Sequence, residues 1–279
     1  MQMYKKILKL KDFNLKYSYE SGQPLAFYGK FSNNAFSYIT KEHFISIEQK
    51  RKSFILESDS IKFAKHELTS RFRLKDNMPE IYSKICTDKF MKNAVTRYKG
   101  LHITLNDPWE TLVVFIISQN NNLKRIRGST LYLINKFGKY TDFGKGFPSI
   151  ADFSNAKAAD FQKAGLGFRS RYLLNAIDYC TNNINLYSLK SKSYADIKNE
   201  LVEIIGVGNK IADCVALMGY GKLEAFPIDV WIKRALETLY FKAEPQNIKD
   251  LQSFAMQKWG KYAGYAQQYI YWAAKNNNF

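Results

Sequence analysis

The residues best placed to do chemistry lie between Leu201 and Tyr240. Gly206-Val207-Gly208 joins two helix-like segments, Lys210 follows two residues later, and Asp229 lies nineteen residues beyond that lysine. Glycines at such a turn permit a positive φ and leave the backbone bare. Their N–H groups, together with the N-terminus of the next helix, form a nest that grips a phosphate without reading sequence. A plain glycine cap between two core helices has the same pattern. Lys210 falls in the first turn of the second helix, at the positive end of its dipole. An amine there either binds phosphate as a point charge or, when neutral, attacks an electrophilic carbon and forms a Schiff base. Asp229 follows Phe226-Pro227-Ile228 and heads a helical run, the position of an N-cap. A capping carboxylate is tied up by backbone N–H donors. It therefore suits steadying an oxocarbenium ion better than general-base work, although capping alone also accounts for its position.

Positioning these groups needs a sizeable core, and the composition supplies one. The chain has 279 residues, 46% apolar and 15% aromatic, enough for one large domain or two modest ones. The charge is one-sided: 42 Lys+Arg against 25 Asp+Glu gives +17. Such a balance points to a polyanionic partner, nucleic acid first, or to a merely basic housekeeping protein. Three cysteines, Cys86, Cys180 and Cys214, lie far apart and form no C-x-x-C spacing. A disulfide framework or zinc site is not expected, and a four-cysteine iron–sulfur cluster is excluded by count. The N-terminal stretch has no unbroken apolar core of the secretory kind, and no apolar run approaches a membrane span. A reduced, intracellular, soluble protein is expected.

Two periodicities divide the chain. From about Phe13 to Glu57 apolar and polar residues alternate, with turn material at Glu20–Pro24 and Ser32–Asn34, which predicts an antiparallel sheet with one wet face. Ile61–Arg71 reads as a short helix on that sheet. From Pro79 the period becomes helical. It predicts helices at 79–98, 108–118, 123–137, 149–154, 157–163, 169–182, 193–205, 209–220, 229–240, 247–259 and 264–275. The expected fold class is α+β: an N-terminal antiparallel β-sheet domain over residues 1–104, then a larger helical domain over 105–279 containing the helix-hairpin-helix. There is no internal repeat.

The segment Ile205-Gly206-Val207-Gly208-Asn209-Lys210-Ile211-Ala212-Asp213-Cys214, continued by Phe226-Pro227-Ile228-Asp229-Val230, resembles the HhH-GPD superfamily of base-excision DNA glycosylases. Within it the chain is similar to the 8-oxoguanine DNA glycosylase (Ogg) branch. Asp107-Pro108-Trp109-Glu110, Gln119-Asn120-Asn121-Asn122, Gly165-Leu166-Gly167-Phe168-Arg169, Tyr262-Ala263-Gly264-Tyr265-Ala266-Gln267 and Ser21-Gly22-Gln23 carry the resemblance over most of the chain.

By this resemblance Lys210 is the Schiff-base nucleophile and Asp229 the catalytic aspartate. Cys214 and Tyr271 sandwich an extruded base, Gln267 pairs with its Watson–Crick edge, and the Gly22 carbonyl receives its N7–H. Asn120 fills the vacated space, Arg125 and Arg169 read the orphaned cytosine, and Phe168 is the wedge beside it. The implied activity is excision of 8-oxoguanine opposite cytosine in double-stranded DNA, with AP lyase nicking, by a monomer. It implies no metal in the chemistry, with the hairpin carbonyls a candidate site for a monovalent cation. Alternatives are a glycosylase of this superfamily for another damaged base and a non-catalytic helix-hairpin-helix DNA-binding protein. The sequence departs from the family pattern at Trp231, where many members carry a phosphate-contacting histidine. Tyr271 replaces a more usual phenylalanine.

Overall fold

The computed structural model describes residues 2–51 and 53–276. Its N-terminal part is a five-stranded antiparallel sheet of β1 (Tyr4–Leu8), β2 (Lys30–Ser32), β3 (Ala35–Thr40), β4 (His43–Gln49) and β5 (Phe54–Ser58), in the order β1-β5-β4-β3-β2. Strict alternation of buried and half-exposed residues along β3 and β5 gives the sheet one dry face. Phe36, Ile45, Ile47 and Leu56 bury there with Leu68 of α2 (Ile61–Arg71) and Phe72, which follows that helix. Ser60 caps α2 by accepting from the Phe63 N–H.

The predicted strand over Phe13–Tyr17 is instead a helix, α1 (Leu15–Glu20). Asn14 accepts from the Tyr17 N–H at 3.0 Å, and Leu15 and Ser18 bury on one helical face. A cap residue decided against the short alternation. Strand β1 went unpredicted because its lysines face water at the sheet edge, where charge discourages further pairing.

The helical part begins with α3 (Met78–Ile85) and α4 (Lys89–Arg97), separated at Asp88, whose carboxylate caps the second by accepting from the Met91 N–H. One helix had been expected there. Then follow α5 (Pro108–Ser118), α6 (Leu123–Phe137), a two-stranded hairpin β6 (Tyr140–Thr141) and β7 (Gly144–Lys145), α7 (Ala158–Lys163), α8 (Arg169–Asn182) and α9 (Tyr194–Val202). The last four are α10 (Asn209–Gly219), α11 (Val230–Tyr240), α12 (Ile248–Trp259) and α13 (Ala263–Lys275). The helix predicted at 149–154 is only a 3-10 turn, Ala151–Phe153, and α9 stops three residues short of its predicted end. Helices α5, α10 and α13 are buried over nearly their whole length and pack as the centre of the molecule. Among the described residues no helix is long and apolar enough to cross a membrane.

The two parts are joined by buried polar groups. Arg71 of α2 donates to Glu110 of α5 at 2.8 Å and to Glu67 at 2.9 Å. Gln23 is fully buried: its amide donates to the carbonyls of Ser18 and His102 and to the Ser21 hydroxyl, and its oxygen accepts from the Thr104 N–H at 2.6 Å. Gln268 of α13 donates to the Ser21 carbonyl at 2.7 Å. The loop carrying Gly22 is thus clamped against the helical core from both sides.

Candidate active site

The hairpin is built as its residues require. Gly206 has φ +89°, and a Cβ there would lie 2.2 Å from the Tyr172 ring, so only glycine fits. Gly208 departs from the expectation. Its φ of −87° is ordinary extended backbone, and nothing lies within 4 Å of where its Cβ would be. Its bareness, not its conformation, is what leaves the start of α10 uncovered. Val207 is buried and pins the turn, its N–H bonded to the Ile204 carbonyl at 2.9 Å.

Lys210, in the first turn of α10, points into a cleft of about 820 Å³ between the Gly22 loop, α5, α10, α11 and α13. Its Nζ lies 5.0 Å from the centroid of the Phe115 ring. Asp229 lines the same cleft and caps α11, accepting from the Ile232 N–H at 2.8 Å. Cys214, one turn beyond Lys210, is buried. Burial pushes its thiol up to about 11; the nearby Lys210, hydrogen-bonded to the sulfur, opposes this and the Asp229 charge adds to it. Both groups therefore act on one sulfur atom, which places nucleophile and carboxylate candidates on the same stretch of wall.

The far wall belongs to α13. Gln267 is 6% exposed, lines the cleft, and its Oε1 is buried without a hydrogen-bond partner. An orphaned acceptor costs about 1–3 kcal/mol, so it marks a place where a donor is missing. Tyr271 lies one turn further along, its hydroxyl raised by burial and then by the charges of Asp229 and Cys214. Gly22 sits opposite with φ +74°, and a Cβ on it would meet the Tyr271 hydroxyl at 3.0 Å. Gly22→Ala is expected to lose about 1–2 kcal/mol from the left-handed backbone alone and to push Tyr271 off its place. Urea unfolding and base-release rates together test this, and an alanine variant matching the wild type in both would remove Gly22 from the pocket wall.

At the mouth of the cleft Asn120 is exposed with φ +43°, and Arg125 is exposed on the first turn of α6. Phe168 is 50% exposed at the start of α8. Arg169 is placed differently from expectation. It is 5% exposed and donates to the carbonyls of Gln119 at 2.6 Å, Asn120 at 2.7 Å and Leu166 at 3.1 Å. In this structure it braces the Asn120 turn, and reading a cytosine requires it to give up those bonds. Trp231, 49% exposed, stands on the lip of the cleft. Among the described residues no cluster of three or more His, Cys, Asp or Glu gathers to hold a metal.

Residues 113–261 match the family of HhH-GPD superfamily base excision DNA repair proteins. The chain belongs to that superfamily. Residues 6–112 match the 8-oxoguanine DNA glycosylase N-terminal domain, which puts the chain in the Ogg branch. The Saccharomyces cerevisiae N-glycosylase/DNA lyase is 28% identical over 246 residues, 74% of this chain; the chain spans 65% of that protein's length. The structure of MBOgg1 with a low-affinity DNA ligand is 30% identical at TM-score 0.92, each chain covered in full. The Clostridium acetobutylicum 8-oxoguanine glycosylase/lyase, solved with duplex DNA carrying cytosine opposite 8-oxoguanine, is 28% identical at TM-score 0.91, covering 100% of this chain and 99% of that one. The five-stranded sheet and the helices after it are therefore the Ogg arrangement.

Some residues that shape this Ogg cleft escaped the reading of the sequence. Phe115 lies beneath Lys210, and Gln23 and Gln268 hold the Gly22 loop. Lys275 lines the cleft four residues after Tyr271. Only Lys275 had a local signal, since i and i+4 share a helix face.

Proposed function

We propose that the protein is a bifunctional DNA glycosylase and AP lyase that excises 8-oxoguanine from duplex DNA. One observation carries this reading: Gly22, Lys210, Cys214, Asp229, Gln267 and Tyr271 converge on a single cleft in which the Gln267 acceptor lacks a donor. A purine Watson–Crick edge supplies such a donor. The matched relatives and the +17 charge support the same conclusion.

The target carbon is inaccessible within a duplex, so the nucleotide is extruded, at a cost of a few kcal/mol. Phe168 and Asn120 occupy the gap, Arg125 meets the unpaired cytosine, and the 206–208 hairpin holds the backbone by phosphate contacts. Between Cys214 and Tyr271 the base is stacked. A carbonyl at Gly22 accepts the N7–H of 8-oxoguanine and repels the N7 lone pair of guanine. An unpaired acceptor is worth about 1–3 kcal/mol, a factor of roughly 5 to 150, so earlier steps of extrusion must add to the selectivity.

As the neutral amine, Lys210 attacks C1′ while the base departs, and Asp229 stabilises the cationic sugar. The Schiff base that results undergoes β-elimination and nicks the strand 3′ to the lesion. We take the chemistry to need no metal or cluster and the enzyme to act as a monomer, inside the cell with the DNA.

The test is incubation with an 8-oxoguanine:cytosine duplex in the presence of borohydride. Free 8-oxoguanine and a covalent protein–DNA adduct are the expected products. Tight binding with neither product would instead establish a non-catalytic DNA-binding protein, and release from a different lesion in a panel of duplexes would reassign the substrate.

A further inference from the structure

The cleft contains a cationic side chain that the mechanism above does not use. Lys275 is the last residue of α13, and its amine lies on the cleft wall. Nζ lies 3.4 Å from the Tyr271 hydroxyl, toward which it donates, and 5.6 Å from the centroid of the same ring. That hydroxyl in turn abuts Gly22, 3.0 Å from the site of a Cβ. Gly22, the Tyr271 hydroxyl and the Lys275 amine therefore follow one another along one side of the pocket. Among the described residues no carboxylate lies within ion-pair distance of Lys275. Burial draws the Lys275 amine below its ordinary range, and the Asp229 charge, which faces the same cavity, opposes this and favours the ammonium.

This placement has a direction. Breaking the C1′–N9 bond by an entering amine separates charge: the sugar side becomes positive, and the electron pair of the broken bond leaves on the purine. Asp229 and Lys210 both act on the Cys214 sulfur, so the carboxylate shares the wall from which the sugar is attacked. Lys275 stands at the Gly22–Tyr271 end, where the base is held. A carboxylate on the sugar side and an ammonium on the base side produce a field that favours this separation. Fixed charges in a partly desolvated site do so without reorganising as the reaction proceeds.

Resting on the proposed glycosylase reading, we propose that Lys275 is a further catalytic residue of the base-excision step, its ammonium stabilising the departing purine anion from the Gly22–Tyr271 edge of the pocket. Balance is simple. A neutral amine and a neutral nucleoside give a sugar-bound ammonium and a purine anion, and Lys275 neither gains nor loses a bond. In cleavage of a preformed abasic duplex no base occupies the pocket, so Lys275 has no departing anion to stabilise in that reaction.

The two half-reactions can be measured separately on one enzyme preparation. Single-turnover release of 8-oxoguanine from its duplex with cytosine reports excision, and cleavage of a preformed abasic duplex reports the lyase step. Lys275→Met retains the aliphatic stem and removes the charge. It is expected to lower the ratio of excision to abasic cleavage by about 10-fold or more, and Lys275→Arg is expected to restore most of that ratio. Equal loss of both rates would mean that Lys275 supports folding or DNA binding, and an unchanged ratio would mean that it is a bystander; either result overturns the proposal. A wild-type enzyme that cleaves abasic DNA but releases no 8-oxoguanine would overturn the substrate reading first, and the two failures are told apart by that control.

Discussion

Lys210→Gln loses the borohydride-trapped adduct and the nicking of lesion DNA, by about 10³-fold or more as expected for removal of a nucleophile, while duplex binding stays nearly intact. Glutamine keeps a polar side chain over the Phe115 ring and beside Cys214 but has no amine. The phosphate contacts proposed for the hairpin come from the backbone at 206–208, which the substitution leaves alone. Gel analysis after borohydride, with a parallel binding titration, separates the two effects. An adduct that survives in the variant would move the nucleophile to another amine. Two other lysines line the cleft: Lys233, which is engaged with Glu237 on its own helix, and Lys275. Mapping the attachment site would identify which of them reacted.

Asp229→Asn separates two roles that one side chain combines. Asparagine caps a helix about as well as aspartate, so α11 keeps its first turn and stability changes little. The negative charge beside C1′ is lost, and base release should fall by about 10²- to 10³-fold, or roughly 3–4 kcal/mol of transition-state stabilisation. Asp229→Ala should lose the same rate and, in addition, about 1 kcal/mol of stability through the missing cap. Urea unfolding of both variants beside single-turnover kinetics checks this. A titration gives an independent readout with a definite sign. The Asp229 charge helps push the Cys214 thiol up to about 11, so in either variant that thiol titrates lower. Wild-type release rates in Asp229→Asn would leave the carboxylate with capping alone.

The local elements were largely legible because their signals are local. Helices at 108–118, 123–137, 169–182 and 61–71 have their predicted bounds. Each starts or ends on a residue whose own side chain or backbone makes the cap, as Asp107 does for α5 and Asn122 for α6. Failures came where a cap competed with a pattern. Asn14 made a helix out of an alternating stretch, and Asp88 split one helical period into two helices. Gly208 was the right residue for another reason: its φ is ordinary, and its value lies in the absence of a side chain.

The order of Lys210, Cys214, Asp229, Gln267 and Tyr271 along the chain, together with the glycine hairpin and the excess of basic residues, was determined by the sequence alone, because those features depend on covalent spacing and residue type. Their meeting in one cleft was decided by tertiary packing. Gly22 reaches α13 only because Gln23 and Gln268 make hydrogen bonds spanning 79 and 247 residues, respectively. Arg169 faces inward because three carbonyls from two separate loops converge on its guanidinium. Lys275 entered the site because α13 is buried along its length and ends at the cleft wall. Such contacts join distant segments through burial and hydrogen bonding, and no periodicity within a single segment encodes them.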